Sequence, residues 1–310
     1  MKIGLSSYSM VNRIYSGEMD IIQVMEFAAE RGAEHFELVP FGFVFYDDKT
    51  GAFDDALIER VRAKSAELGL PLSNYAVLAD LLKESESERE AEVERLCRHI
   101  DVAAKVGVPF MRHDVSSFRR PLEHNTPAEF ERLFPVMVDT TRRLSEYAEQ
   151  YGITTLVENH GFFVNGADRV IRLAEAVGRE NFGILCDTGN FACVDENCLV
   201  AVKKCLPYTK FYHLKDFYIR EKDTLPLGGG LFRCDSGNWF SSNSGEYMLR
   251  GSILGQGDLP MRAIFRQIAG ADTFASLEFE GMEKPEDGST LGMDAAKELI
   301  KQNAGRDSCG

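Results

Sequence analysis

The feature that most constrains this chain is an alternation repeated eight times: a short apolar run, a polar loop, then an amphipathic stretch with apolar residues near the i, i+3, i+4 spacing of a helix. Candidate strands begin near residues 2, 34, 72, 109, 154, 182, 210 and 274. Helical patterns between them include Ile21 to Arg31, Asp54 to Leu68, Ser87 to Val106, Ala128 to Tyr151 and Ala167 to Val177. Gly32, Gly69, Gly107, Gly152 and Gly178 follow these stretches, where a left-handed C-terminal cap favours glycine. Strands alternating with helices pair in parallel, and eight such units predict a closed (β/α)8 TIM barrel of the α/β class. An open doubly wound sheet is the competing fold, but no G-x-G-x-x-G follows the first strand.

No composition shift or Pro/Ser-rich linker divides the 310 residues, so one domain is expected, with the barrel over about 1–303 and a tail at 304–310. The seventh unit is longer than the others. Its residues 217–258, rich in Gly and Ser, predict a lid without regular structure over the rim, with Arg220, Arg233 and Trp239 as specificity candidates. Gly228-Gly229-Gly230 lacks the Lys and Ser/Thr of a phosphate-binding loop.

The formal charge is 35 − 49 = −14, which repels nucleic acid and anionic membranes and leaves a small molecule as the expected partner. Seven cysteines without a C-x-x-C pair predict reduced thiols in a cytoplasmic protein. The spacing of Cys186, Cys193, Cys198 and Cys205 matches no zinc module. With Met1-Lys2 running straight into Ile3-Gly4-Leu5, no signal peptide is expected, and no apolar run reaches the roughly 18 residues of a membrane span.

The chemistry gathers in the second half. Thr155-Leu156-Val157-Glu158, Gly183-Ile184-Leu185-Cys186-Asp187, Phe211-Tyr212-His213 and Ala275-Ser276-Leu277-Glu278 are buried-type runs that break into polar residues at their carboxyl ends. In a parallel barrel those ends share one rim. Glu158, Asp187, His213 and Glu278 can then converge on a single divalent ion, with oxygen and nitrogen donors suited to Mn²⁺, Mg²⁺, Co²⁺ or Zn²⁺. Manganese is the first choice.

These residues, with Asp187-Thr188-Gly189-Asn190, His213-Leu214-Lys215-Asp216 and Ser276-Leu277-Glu278 in order, give the chain a family resemblance. It resembles the xylose isomerase-like TIM barrel superfamily, specifically its sugar phosphate isomerase/epimerase branch, over nearly its whole length. Gly255-Gln256-Gly257-Asp258 looks like that family's turn before the seventh helix; taken alone, Asp258 is a plausible N-cap. The resemblance implies that Glu158 and Glu278 are both metal ligands and proton-transfer groups, with Asp187 and His213 completing the shell. The implied reaction is isomerisation or epimerisation of a sugar, keto-sugar or related polyhydroxy compound, by proton abstraction next to a carbonyl through a metal-stabilised enediolate. General chemistry agrees, since such a reaction needs a base at the carbon and charge stabilisation at the oxygen.

Where ketose epimerases of this superfamily usually carry a histidine three residues after the aspartate, this chain has Asn190, which can hydrogen-bond a hydroxyl but cannot carry a proton. His160 and His113 are substrate-facing candidates in its place, and Lys215, Glu37 and Glu280 complete the expected substrate-binding set. Between Glu278 and Glu280, which share a strand face, the resemblance favours Glu278 as ligand. The principal alternative is a lyase on the same barrel, of the inosose or dehydroshikimate dehydratase type, which removes the same proton and expels a leaving group. A nucleic-acid enzyme of the related AP endonuclease type is more remote, because six histidines and the charge of −14 suit neither its His-rich metal cluster nor its basic groove. Homo-oligomer formation stays open.

Overall fold

The structure, a computed structural model, describes residues 1–118, 120–224 and 238–304. Eight parallel strands close into a barrel: β1 (Lys2–Ser6), β2 (Phe36–Leu38), β3 (Leu72–Val77), β4 (Phe110–His113), β5 (Thr154–Glu158), β6 (Phe182–Asp187), β7 (Thr209–Leu214) and β8 (Phe274–Leu277). Their order around the barrel is β1-β8-β7-β6-β5-β4-β3-β2, so chain neighbours are spatial neighbours, and β1 closes the ring against β8 through Lys2↔Phe274 and Leu5↔Leu277. The TIM barrel predicted from the alternation is the fold observed.

Helix boundaries follow local chemistry. The helix Glu86–Val106 begins at a reciprocal capping box between Ser85 and Glu88 and ends at Gly107, whose φ of 87° a side chain would strain. Asp20 and Gln23 form the same box at the helix Ile21–Glu30. Among the described residues no helix is long and apolar enough to cross a membrane. All five described cysteines are free thiols.

Side chains on a strand alternate between faces with a period of two, and that period builds the barrel interior. Leu156, Leu185 and Phe211 form a buried layer inside the barrel, with Phe110 and Phe274 packed against it. The residues two positions further along β5, β6 and β7 are Glu158, Asp187 and His213. An apolar plug therefore lies directly beneath a polar mouth.

His35 belongs to the plug. Its Nδ1 lies 2.8 Å from the Ser73 hydroxyl and its Nε2 3.2 Å from the Ala275 carbonyl, with Phe274 against its ring at 4.8 Å. Burial pushes the imidazole down to about 4, against the opposing pull of the Glu37 carboxylate. A histidine kept neutral by folding stabilises the protein fully above the unfolded value near 6.5, and that contribution is lost as the pH falls towards 4. The expected loss between pH 7 and pH 4 is on the order of 3 kcal/mol. Urea denaturation at several pH values should show a steeper acid decline for the wild type than for His35→Gln, which does not titrate. Equal slopes would place the acid sensitivity elsewhere.

The segment after β7 departs from the structureless lid expected there. Asp216–Glu221 pairs antiparallel with Tyr247–Ser252, which pairs in turn with Phe240–Ser241, giving a small three-stranded sheet. The Asp216 carboxylate anchors it by accepting backbone N–H bonds from Phe217 (2.8 Å), Gly255 (2.9 Å), Gly257 (3.0 Å) and Leu259 (3.3 Å). A Cβ on Gly257 would lie 2.3 Å from Asp216 Oδ1, which accounts for that glycine. Asp258 is not an N-cap: the helix Met261–Ile268 starts after Pro260 without a side-chain cap, and Asp258 instead accepts bonds of 2.6 Å from the Ile219 N–H and from Arg220. Arg233 and Gly228-Gly229-Gly230 lie outside the described residues.

Candidate metal centre and active site

Strand register assembles the cluster. Asp187 on β6 is directly opposite His213 on β7, Glu158 on β5 is opposite Leu185, two residues before Asp187, and the Glu278 N–H donates to the Leu214 carbonyl at 3.1 Å. One ligand atom from each of Glu158, Asp187, His213 and Glu278 lies within 4.8 Å of the other three. The four residues singled out in the sequence thus converge at the carboxyl rim.

Each is held by a specific partner. Asp187 Oδ1 accepts the Gly189 and Asn190 N–H groups at 2.7 and 2.8 Å, and the Asn159 amide braces its backbone on both sides. Its buried Oδ2 makes no well-aligned hydrogen bond and is ion-paired with the Lys215 ammonium at 3.2 Å. His213 turns Nε2 to Glu37, at 2.9 Å, and Nδ1 to Glu158, at 3.2 Å. Glu37, expected among the substrate-binding residues, is fully buried under the site, where it meets His213 and accepts a 2.7 Å bond from the Asn74 amide.

Arg112 was not anticipated. Its Nη2 lies 2.7 Å from both Glu158 Oε2 and Asp114 Oδ1, and it lines the cavity where His113 was expected. His113 is off the cavity wall, buried with Nδ1 3.0 Å from the Asp114 carbonyl, because the phase of β4 sends it to the opposite face. Phe110 faces the plug, and the two-residue period then carries Arg112, not His113, to the mouth. His160 does line the cavity, with Nδ1 3.0 Å from Asp114 Oδ1. Asn190 lines it too and donates to Glu158 Oε1 at 3.1 Å.

Lys215 reaches Glu278 at 2.5 Å and Glu280 at 3.2 Å, and all three line the cavity. Tyr8, which no motif signalled, lines it after β1 beside Glu280. Phe217 and Phe240, which were not singled out, line the cavity from the segment after β7, whereas of the residues expected there Arg220 is engaged with Asp258 and Trp239 is buried under the Arg250 guanidinium, 4.9 Å from its ring.

Electrostatics sort the groups. Burial alone would push the Glu158 carboxyl up, but the Arg112 guanidinium and His213 outweigh it and hold it well below the usual range. Burial pushes Asp187 up to about 6, reinforced by Glu158 and Glu278 and only partly offset by Lys215. Around the cluster, Glu37, Glu158, Asp187, Glu278 and Glu280 face two permanent cations, Arg112 and Lys215. Even with His213 held protonated by the surrounding carboxylates, negative charge exceeds positive around the cluster, and the Asp187 Oδ2 engaged only by the Lys215 ion pair fits a divalent cation.

The cavity above the cluster has a volume of about 510 Å³. Comparison with proteins of known structure gives relatives in fold. An L-ribulose 3-epimerase superposes with a TM-score of 0.72 at 13% identity, covering 99% of this chain and 97% of that one. A xylose isomerase-like TIM barrel protein from Mycobacterium smegmatis, solved with magnesium, gives 0.70 at 17% identity and 97% coverage of both chains. The probable 3-DHS dehydratase AsbF from Bacillus anthracis gives 0.69 at 16%, covering 96% of this chain and 99% of that one. No curated protein matches by sequence. The family model described as xylose isomerase-like TIM barrel matches residues 25–299. With that match spanning most of the sequence and the closed eight-stranded barrel beneath it, the chain belongs to the xylose isomerase-like TIM barrel family.

Proposed function

We propose that this protein is a divalent-metal-dependent isomerase or epimerase of a sugar, keto-sugar or related polyhydroxy compound, removing a proton from the carbon next to a carbonyl. The observation that carries the reading is the convergence of Glu158, Asp187, His213 and Glu278 within 4.8 Å, three of which, Glu158, His213 and Glu278, line a cavity. These four side chains would hold the ion, with Mn²⁺ the first choice. When bound, a divalent ion supplies Lewis-acid stabilisation of negative charge developing on substrate oxygen.

The remaining work falls to the chain's own groups. Glu158, kept ionised by Arg112, and Glu278 project from different strands, so each can address a different face of one substrate carbon as proton acceptor or donor. Glu37 holds His213 by Nε2 and keeps Nδ1 aimed into the cluster. His160, Asn190, Lys215 and Glu280 offer donors and acceptors to hydroxyl groups from the cavity wall. Phe217 and Phe240 cover it from the small sheet and limit the access of water.

The test is a panel of keto-sugars incubated with the Mn²⁺-loaded protein in deuterated water and followed by NMR. Deuterium should enter at the carbon next to the carbonyl, with an isomer or epimer as product. Loss of water or of a substituent would assign the lyase reaction instead. Absence of exchange across the panel would remove the proton-abstraction reading.

A further inference from the structure

A buried ammonium stands inside the acidic cluster. Lys215 Nζ lies 3.2 Å from Asp187 Oδ2 and 2.5 Å from Glu278 Oε2, so it engages the carboxylates of two of the four residues that would hold a divalent ion. Asp187 Oδ1 is committed to the Gly189 and Asn190 N–H groups, which leaves Oδ2 as the oxygen that either cation would use. A divalent ion and an ammonium drawn to the same oxygens repel each other at close range, and burial removes much of the screening that water and salt provide.

The chain also provides the ammonium with a second place to sit. Nζ is 3.2 Å from Glu280 Oε1 and 3.4 Å from Asn190 Oδ1, and neither residue belongs to the cluster. Glu280 lies two residues beyond Glu278 and has 27% of its side chain exposed against 10%, so it stands nearer the opening of the cavity. The backbone of Lys215 is pinned on both sides by the Thr188 hydroxyl, which accepts the Lys215 N–H at 3.0 Å and donates to the Lys215 carbonyl at 3.1 Å. A shift from the cluster to Glu280 therefore needs only rotations within a flexible four-carbon stem, and the displaced ammonium keeps a carboxylate partner.

We propose that Lys215 is a displaceable internal counter-cation that sets the metal affinity of the cluster, and that Glu280 receives its ammonium when a divalent ion takes Asp187 and Glu278. The proposal rests on the metal-dependent reading of the site. It makes Lys215 and Glu280 positioning residues: Glu280 touches none of the ion's oxygens and favours metal binding by drawing Lys215 away from them. The ion is then held less tightly than the four ligand residues alone would hold it, because it must displace the ammonium first.

The test reads metal affinity and needs no substrate. Mn²⁺-loaded wild type, Lys215→Met, Glu280→Gln and the double variant are dialysed against chelator-buffered Mn²⁺, and bound metal is measured at each free concentration. Lys215→Met, which keeps the length of the side chain and loses its charge, should bind Mn²⁺ about tenfold or more tightly than wild type. Glu280→Gln should bind it about tenfold more weakly, yet on the Lys215→Met background the same substitution should change the affinity by less than about twofold, because its effect passes through the ammonium. Loss of local negative charge alone would weaken binding equally on both backgrounds, and that result would overturn the proposal. So would equal or weaker binding by Lys215→Met. In crystals of the Mn²⁺-loaded wild type, Lys215 Nζ should lie on Glu280 and away from Asp187 Oδ2; an ammonium still on Asp187 beside a bound ion would overturn the proposal even if a variant fails to fold. A wild type that binds no Mn²⁺ would remove the metal-dependent reading and the proposal together, whereas wild-type binding with a failed cycle removes the proposal alone.

Discussion

A Glu158→Gln protein carrying its full complement of metal is expected to exchange the substrate's carbon-bound proton about 10²–10⁴-fold more slowly than wild type, the usual scale of general acid-base catalysis. The amide keeps an oxygen that can face the cluster and accept from Asn190, so the shape of the site is retained. What it loses is the anionic base that Arg112 keeps ionised. Glu278→Gln should give a deficit of similar size, and exchange followed from each epimer separately shows which carboxylate serves which face of the carbon. Metal content must be measured for each variant, because weakened metal binding lowers the rate without any chemical defect. A fully metallated Glu158→Gln protein exchanging at the wild-type rate would take Glu158 out of the mechanism and leave His160, on the cavity wall, as the next base to test.

The second large effect concerns stability. Arg112 is buried and contacts two buried carboxylates, Asp114 and Glu158, each at 2.7 Å. Arg112→Ala removes the cation and leaves both acids in the barrel mouth without their main counter-charge. Breaking a buried pair in this way typically costs about 3–5 kcal/mol, because the remaining charge stays desolvated. The urea midpoint of Arg112→Ala should fall accordingly, and the Glu158 carboxyl should rise towards the ordinary carboxylate range. Added divalent metal should recover part of the stability, since a bound ion replaces some of the missing positive charge. An unchanged midpoint would show that water or a rearranged Lys215 compensates fully.

Much of the site was legible because its four principal residues obey one rule. Each stands at the carboxyl end of a β-type apolar run, and in a parallel barrel those ends meet on one rim. Arg112 obeys the same rule but was harder to see. In Phe110-Met111-Arg112-His113 both final residues are polar, so the pattern does not reveal which one faces inward. Phe110 is the only clue to the phase, and its inward direction is known only once it packs with Phe211 at 5.8 Å. Glu37 was found as a polar strand end, but its role was not, because its partner His213 lies 176 residues away in the chain.

The segment after β7 illustrates the other kind of limit. Its length and glycine content led to the reading of a lid without regular structure, whereas the pairing of Asp216–Glu221 with Tyr247–Ser252 and the backbone bonds from Gly255, Gly257 and Leu259 to Asp216 join residues 26 to 43 positions apart. Asp258 looked like a cap because it precedes a helix; the nearby Ile219 N–H and the Arg220 guanidinium capture it instead.

What the sequence by itself determined is therefore the part encoded in short-range periodicity: eight strand-helix units, the glycine and capping-box boundaries, and four ligand-type residues at strand ends. Period two and period 3.6 are local properties of the backbone, so they survive in the sequence without knowledge of the fold. Tertiary structure alone decided which of two adjacent polar residues enters the mouth, that Glu37 meets His213 from below, and that Phe217 and Phe240 of the small sheet line the cavity. Those outcomes depend on strand phase and on packing between distant segments, where side-chain direction and burial are set by neighbours that sequence proximity does not specify.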